Sequence, residues 1–317
     1  MGLGGKEETE YTFQLPEREK QIALEELRED DNIRQQSLDQ MREWIAKHPH
    51  IKKCRTDAPF LLRFLRTKKF SVPLSCEMLE RYLSIRRLYP QWFQRLDCED
   101  PHLQEIIDAG YLVPLLERDN GRMVLFSCAA NFDPHKFTSA HMIRVHSLVT
   151  ESLMDDEMNQ INGYTYINDE AGFTMAHISM WGLRDLRNIV RCIQNTTPMR
   201  HKGNHFLNMN SSAAKLFEYS SPLLNEKLRN RLHVYKNIDE VYEHIDKKIL
   251  PKEYGGEVPL KDMLDRFKRM LKEKRESILA LDEMSIEIDE RNCPLVSEMN
   301  EELGSGIDGS FKRLAVD

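Results

Sequence analysis

Residues 197–237 read TPMRHKGNHFLNMNSSAAKLFEYSSPLLNEKLRNRLHVYKN. Gly203 to Asn208 has the composition of a short strand, and Asn210 to Ser220 places Ala213, Ala214, Leu216, Phe217 and Tyr219 at helical spacing with little bulk and little charge. Pro222 to Asn230 follows as a helix and Arg231 to Tyr235 as a strand. The segment is also basic: Arg200, Lys202, Lys215, Lys227, Arg229, Arg231 and Lys236 stand against Glu218 and Glu226, in a chain whose formal charge is -7. A positive face on an acidic protein points to an anionic partner such as the phosphates of a membrane surface. The alternative is a pair of surface helices with solvated lysines.

Working upstream, the same alternation continues. Leu112 to Leu116 and Met123 to Cys128 are short apolar runs joined across Asp119-Asn120-Gly121, a strong hairpin signal. A helix is expected from about Thr138 to Met158, a strand at Gly163 to Asn168, and a helix from about Met175 to Gln194. Strands alternating with helices of this length argue for a mainly parallel sheet with helical crossovers. Before Gly110 the pattern is helical throughout. Glu17 to Asp30 and Ile33 to Lys47 keep helical spacing, and His48-Pro49 stops the second. A third helix opens at Asp57 and Pro59, with Phe60, Leu61, Leu62, Phe64 and Leu65 on its buried side and Arg63, Arg66, Lys68 and Lys69 elsewhere; a fourth runs from Pro73 to about Leu88. Downstream, Ile238 to Ile249 closes the α/β part before Gly255-Gly256, a last helix runs to about Leu281, and the acidic remainder has too little apolar content for a core.

A length of 317 residues with 40% hydrophobic content supports a packed core in two domains, or in one large domain with appendages. No uncharged stretch approaches a membrane span, and the first residues carry no signal-peptide pattern, so the expected location is the cytosol. Gly2 lacks the Ser or Thr that a myristoylation signal needs four residues on. The six cysteines, without CxxC spacing, read as reduced thiols, with neither a disulfide framework nor a zinc site.

Catalytic motifs are scarce. Gly304 to Gly309 matches GxGxxG, but no strand precedes it and no βαβ unit follows. His201 and His205 are four apart where a strand would splay them, which argues against a shared metal. Asp169 and Glu170 follow a strand's carboxyl end, where an α/β enzyme keeps acidic catalysts, yet adjacent carboxylates point apart and suit turn-making better. No catalytic residue, metal site or cofactor site is assigned.

FLLRFLRTKKF (60–70), the hairpin, ANFDPHKFT (130–138), INGYTYINDEAGFT (161–174), PMRHKGNHFLN (198–208), SPLLNEKLRNRLHVY (221–235) and ILPKEYGGEVP (249–259) together resemble the CRAL-TRIO lipid-transfer family. The resemblance is strongest to its animal branch, which holds the α-tocopherol transfer protein, the cellular retinaldehyde-binding protein and the clavesins. It implies an α/β fold in which a helical N-terminal domain precedes a sheet that floors a closed apolar cavity gated by a mobile helix. Applied here it divides the chain into a mobile N-terminus (1–16), a helical domain (17–100), a lipid-binding domain (101–260), a C-terminal helix (261–281) and an acidic flexible tail (282–317). The gate is Asn210 to Ser220.

The resemblance also implies a ligand-binding set: Ile143, His146 and Thr150; Tyr164, Tyr166 and Asn168; Ile189, Cys192 and Ile193; Met199, His201, Asn204 and Phe206; and Leu216 and Phe217 from the gate. Positions 143, 146 and 150 share a helix face, and 164, 166 and 168 a strand face. His201 and Asn204 stand where the tocopherol protein has aliphatic residues and His146 replaces a small one, so a roomier and more polar cavity is expected. The phosphoinositide-binding positions carried over are Lys68, Arg200, Lys202, Lys227 and Arg231. The implied protein is a monomeric carrier of a tocopherol-, retinoid- or other lipid-like molecule. It uses no nucleic acid and associates reversibly with phosphoinositide-bearing endosomal or plasma membranes. The alternatives are a small-molecule enzyme using the same cavity and a lipid-sensing scaffold.

Overall fold

The computed structural model describes residues 11–288. The expectations for Gly2, Cys293, Gly304 to Gly309 and most of the acidic tail lie outside these residues. The chain opens with Glu17–Ile22 (α1), which runs into a π-helical turn at Ala23–Leu27 and stops at Arg28 in the left-handed region (φ 66°). Asp30 was expected inside this helix. It caps the next one instead, Asp31–Lys47 (α2), accepting from the Ile33 N–H at 2.8 Å. Ile51–Lys53 (β1) leads to Ala58–Thr67 (α3), capped by Asp57 with Pro59 in its first turn, and to Val72–Leu88 (α4). Two short helices, Pro90–Phe93 (α5) and Pro101–Asp108 (α6), complete the helical half.

Leu112–Pro114 (β2) and Met123–Cys128 (β3) form the expected hairpin. Asn120 and Gly121 both take positive φ (50° and 85°), as a type I′ turn requires. There follow Ser139–Leu153 (α7), Glu157–Asn162 (α8), Tyr164–Asp169 (β4), Met175–Ser179 (α9), Leu183–Asn195 (α10), His201–Leu207 (β5), Ser211–Ser220 (α11), Glu226–Arg229 (α12), Leu232–Tyr235 (β6), Ile238–Tyr242 (α13), Leu260–Leu279 (α14) and Ser285–Ile286 (β7). The helices expected over 138–158 and 175–194 are each broken in two. Asp156 accepts from Met158 and Asn159 to start α8, and α10 starts afresh after Gly182. Pro222 to Asn230 is a 3-10 turn followed by α12, and Ile238 to Ile249 is likewise a short helix with a later 3-10 turn.

The five strands lie in the order β2-β3-β4-β5-β6, parallel except for the antiparallel hairpin strand. Because each crossover joins neighbouring strands in unbroken order, right-handed connections place the crossover helices on one face of the sheet. Tyr254 packs on the opposite face, its ring 4.6 Å from that of Phe126 and its hydroxyl donating to Asp169 at 2.6 Å. Gly163 closes α8 with φ 83°, and a Cβ there would lie 2.3 Å from the Arg200 carbonyl oxygen, which accepts from the Tyr164 N–H. Only glycine fits between these two chains.

Two results run against the sequence expectation. Arg63 and Arg66 are not on an exposed side of α3: they are 1% and 0% exposed. Arg63 donates to Glu151 at 2.7 Å and Asp155 at 2.6 Å, while Arg66 donates to Glu29, Glu157 and Gln160 at 2.7–2.9 Å. Their partners lie far along the chain, on α7, α8 and the linker before α2, so no local pattern announces them. The tail, expected to be flexible from 282, is ordered at its start. β7 pairs antiparallel with β1, and Lys53 holds Glu283 at 2.6 Å.

Breaking such a buried pair from one side leaves a carboxylate uncompensated, at a cost of roughly 3–5 kcal/mol. Arg66→Met is therefore expected to lower unfolding stability by about that amount in urea titration at neutral pH. A loss under 1 kcal/mol would show that α3 is not held through this residue.

Candidate functional site

A cavity of about 430 Å³ lies between the sheet and its roof of helices. α7 contributes Ile143, His146 and Thr150; α10 contributes Ile189, Cys192 and Ile193; the sheet contributes Tyr166, Asn168, His201, Asn204 and Phe206; Met199 precedes β5; and Leu216 and Phe217 descend from α11. These sequence-chosen positions come together. Tyr164 does not join them. It shares the face of Tyr166 but sits at the start of β4 beneath the end of α7, where its hydroxyl donates to the Leu153 carbonyl at 3.3 Å.

His201, Asn204 and Phe206 differ in parity, so a regular strand would send His201 to the wrong face. The register between β4 and β5 explains their company: Tyr164 pairs with His201, but Thr165 pairs with Gly203. The extra residue is Lys202, and this β-bulge turns His201 inward beside Asn204 and Phe206. His205 then faces the other side, its Nδ1 2.9 Å from the Tyr235 hydroxyl. The two histidines are thus on opposite faces, and among the described residues no group of three or more His, Cys, Asp or Glu side chains could hold a metal ion.

The helical half also reaches the cavity, which the sequence did not reveal. Tyr82, Ile85 and Arg86 of α4, and Phe93, form part of the wall. From sequence alone this stretch reads only as a helix from Pro73 to about Leu88. Polar groups also face inward. His146 Nε2 lies 3.0 Å from the Tyr111 hydroxyl, and burial pushes its pKa down to about 4. Ser127 donates to Asn168 at 2.8 Å, and Asn168 donates to Asn204 at 2.6 Å. Asp169 and Glu170 point apart: Asp169 receives Ala171 N–H, Asn208 and Tyr254, whereas Glu170 lines the cavity with no hydrogen bond to its carboxylate among the described residues. Burial first, then the neighbouring Asp169 charge, raises the Glu170 pKa to about 7.

Asn210 fastens the start of the gate. Asn210 caps α11 through Ser212 N–H and Ala213 N–H, while its amide nitrogen donates to the carbonyls of Glu170 and Phe173. Phe217 meets Phe206 edge-on at 5.3 Å.

Beside this gate lies the basic face. Burial, then the charges of Arg231, Lys69, Arg200 and Lys68, hold the Lys227 ammonium below its ordinary pKa. Lys69 was not chosen from the sequence, nor was Arg122 of the hairpin, which acts on Lys202 and Arg231 in the same way. Lys69 and Phe70 both adopt positive φ (52° and 58°), an uncommon conformation for side-chain-bearing residues, at the loop that carries the lysines. Arg200 and Lys202 are partly engaged already: Glu26, on the π-helical turn, accepts from them at 2.5 and 3.0 Å. Arg200 also donates to the Ile161 carbonyl and Arg231 to the His201 carbonyl.

Glu170 is expected to make stability fall with rising pH. Its folded pKa of about 7 exceeds the ordinary 4.5, so the folded state holds the proton more tightly, and stability is lost as pH rises from about 4.5 to above 7. Glu170→Gln should therefore stabilise the protein by on the order of 2 kcal/mol at pH 8 and by little at pH 4.5. Equal thermal shifts at both pH values would show that the carboxylate ionises freely in the fold.

Among the described residues no helix is long and apolar enough to cross a membrane. The CRAL/TRIO domain family matches residues 108–256, and a Pinta-like UBA domain family matches residues 30–103. Clavesin-1 of Xenopus laevis is 32% identical over 240 residues, spanning 75% of this chain and 72% of that protein. Clavesin-2 of Mus musculus is 29% identical over 280 residues, 88% of this chain and 84% of that one, and Clavesin-2 of Homo sapiens is 31% identical over 240 residues, 75% and 73%. With the helical half, the gated cavity and the mainly parallel sheet arranged as described, the chain belongs to the CRAL/TRIO family.

Proposed function

We propose that this protein is a carrier that encloses a hydrophobic molecule in the cavity and releases it at a phosphoinositide-bearing membrane. The observation that carries this reading is the placement of a largely apolar, gated cavity directly beside a cluster of seven cations, Lys68, Lys69, Arg122, Arg200, Lys202, Lys227 and Arg231. Enclosing a few hundred Å² of apolar ligand surface supplies several kcal/mol at about 25 cal/mol per Å², without any chemistry. The rival reading, a small-molecule enzyme, lacks support in the geometry: Glu170 has no nucleophile or base hydrogen-bonded to it, and Asp169 is spent on the turn.

The basic face divides into two groups with different work. Arg200 and Arg231 brace backbone carbonyls at the ends of the cavity strands, so their replacement disturbs the fold. Lys69 and Lys227 are exposed and Lys68 is half-buried, which leaves these three to meet a headgroup. Glu26 competes with any phosphate for Arg200 and Lys202. A tocopherol or retinoid cargo and an endosomal or plasma-membrane target belong to the same proposal.

At about 1 kcal/mol per basic residue near an anionic surface, changing Lys68, Lys69 and Lys227 together to alanine should weaken binding to phosphatidylinositol bisphosphate vesicles roughly 100-fold and flatten its salt dependence. Glu26→Gln should strengthen it about fivefold by the same measure. Co-sedimentation unchanged in both variants would remove the basic face from the mechanism. A disulfide engineered between α11 and α10 should leave bound ligand in place but stop its transfer between vesicles until reductant is added. Transfer of a fluorescent lipid analogue at equal rates in the crosslinked and reduced protein would mean that the ligand leaves by another route.

A further inference from the structure

The cavity is lined mostly by hydrocarbon, yet one polar atom on its sheet floor is left unanswered by the protein. His201 Nε2 is buried without a hydrogen-bond partner among the described residues. Several features hold the ring in this position. The bulge at Lys202 turns it inward, its own carbonyl is gripped by Arg231, and its face lies against Tyr166 with ring centres 5.7 Å apart. Burial, and then the positive charges of Arg231 and Lys227, depress its pKa to about 4, so at neutral pH the imidazole is uncharged. An uncharged imidazole carries one N–H donor and one nitrogen acceptor. A buried nitrogen left without a partner costs about 1–3 kcal/mol, a cost a suitable ligand relieves.

The neighbouring inward residue supplies a second contact. Along the relay from Ser127 to Asn168 to Asn204, each step donates to the next side-chain oxygen. The relay therefore uses the Asn204 oxygen as acceptor and leaves its amide nitrogen as the free donor end, on the same strand face as His201. A ligand oxygen lodged here meets a fixed N–H from Asn204 and, from His201, a nitrogen that either donates or accepts. A hydroxyl serves both arrangements, because it donates and accepts at once.

Charge selects against an acid. The Arg231 guanidinium is turned to the His201 carbonyl; Arg86 is paired with Asp282 at 2.8 Å through one nitrogen, while its Nη1 has no hydrogen-bond partner among the described residues and faces Glu151 at 3.7 Å; and Glu170 adds a carboxyl to the same cavity. A ligand carboxylate would have to win these guanidinium groups from the carbonyl and carboxylates that already face them, beside the Glu170 carboxyl, whereas a hydroxyl needs no counter-charge.

We propose that the cavity is built for an otherwise apolar molecule bearing one neutral hydroxyl, which is held by His201 Nε2 and the Asn204 amide. The proposal rests on the carrier reading and names the chemical class of its cargo.

Three probes of equal chain length test it: tetradecanol, tetradecane and tetradecanoate, offered to the full chain, with uptake measured after gel filtration. The quantity read is the alcohol-to-alkane uptake ratio in the wild type divided by that in His201→Phe, a double difference in which the probes' own water solubilities cancel. The expected value is about fivefold to tenfold, the range of one net hydrogen bond in a buried site. Asn204→Leu, read in the same way, is expected to shift the ratio in the same direction and replaces His201→Phe should the latter not fold. A ratio unchanged within about twofold in the folded variants overturns the proposal while leaving the carrier reading intact. Tetradecanoate bound in preference to tetradecanol overturns it in favour of an anion site. Uptake of none of the three probes sinks the carrier reading, and this proposal with it.

Discussion

Two buried guanidinium groups on one short helix hold this protein together. Arg63 and Arg66, a single helical turn apart on α3, draw in carboxylates from α7, α8 and the linker before α2. Taking such charges out of water is expensive, and only complete pairing makes the arrangement tolerable. The pairing is dense: Glu151 also receives the Tyr82 hydroxyl at 2.7 Å, and Asp155 is shared with Arg55 at 3.1 Å. Burial alone would raise the Asp155 pKa, but Arg63 and Arg55 bring it down to about 2. Asp155 therefore keeps its charge except in strong acid.

The consequences reach the cavity directly. Glu151 stands on the same helix as Ile143, His146 and Thr150, so the ion pairs that dock α3 also fix the rotation of α7 over the sheet. Docking of the helical half in turn brings Tyr82, Ile85 and Arg86 up to the cavity wall. At the other end of the network, Arg66 anchors Glu29 immediately after the π-helical turn that carries Glu26. The same buried cation thus places the carboxylate that sits on Arg200 and Lys202. Apolar cavity and charged face are separate in chemistry but share one frame.

Periodicity alone was enough to read the helical half, the Asn-Gly hairpin and the alternation that makes a parallel sheet. What escaped had non-local causes. Arg63 and Arg66 look like surface residues until partners some 90 positions away close over them. The β1 and β7 pairing joins two segments too short for a periodic signal. Thr138 to Met158 keeps helical composition throughout, and only the capping geometry of Asp156 divides it. In the site, family likeness located most wall positions, while Tyr164 was misplaced because a strand face says nothing of which helix end covers it. Likewise a bulge has no residue signature, so the mixed parity of His201, Asn204 and Phe206 could not be explained until the register at Thr165 was known.

The basic face reaches the cavity at Arg231, and this bears on how opening could be driven. The gate is held by one asparagine amide on two loop carbonyls, by edge contact between Phe206 and Phe217, and by Leu216 and Tyr219 packed against the cluster that contains Trp181 and Cys192. Opening requires these contacts to be given up. Headgroup binding can shift such an equilibrium only through different affinity for the open and closed states. Arg231 supplies a route to that difference, because it belongs to the cation cluster and also grips the backbone of the strand that carries His201. A phosphate held at Lys227 would also attract the neighbouring Arg231 guanidinium and so compete with its hold on the His201 carbonyl, at the residue proposed to grip the cargo. On the carrier reading, membrane contact would then loosen the ligand's polar anchor in the same event that exposes the gate to lipid.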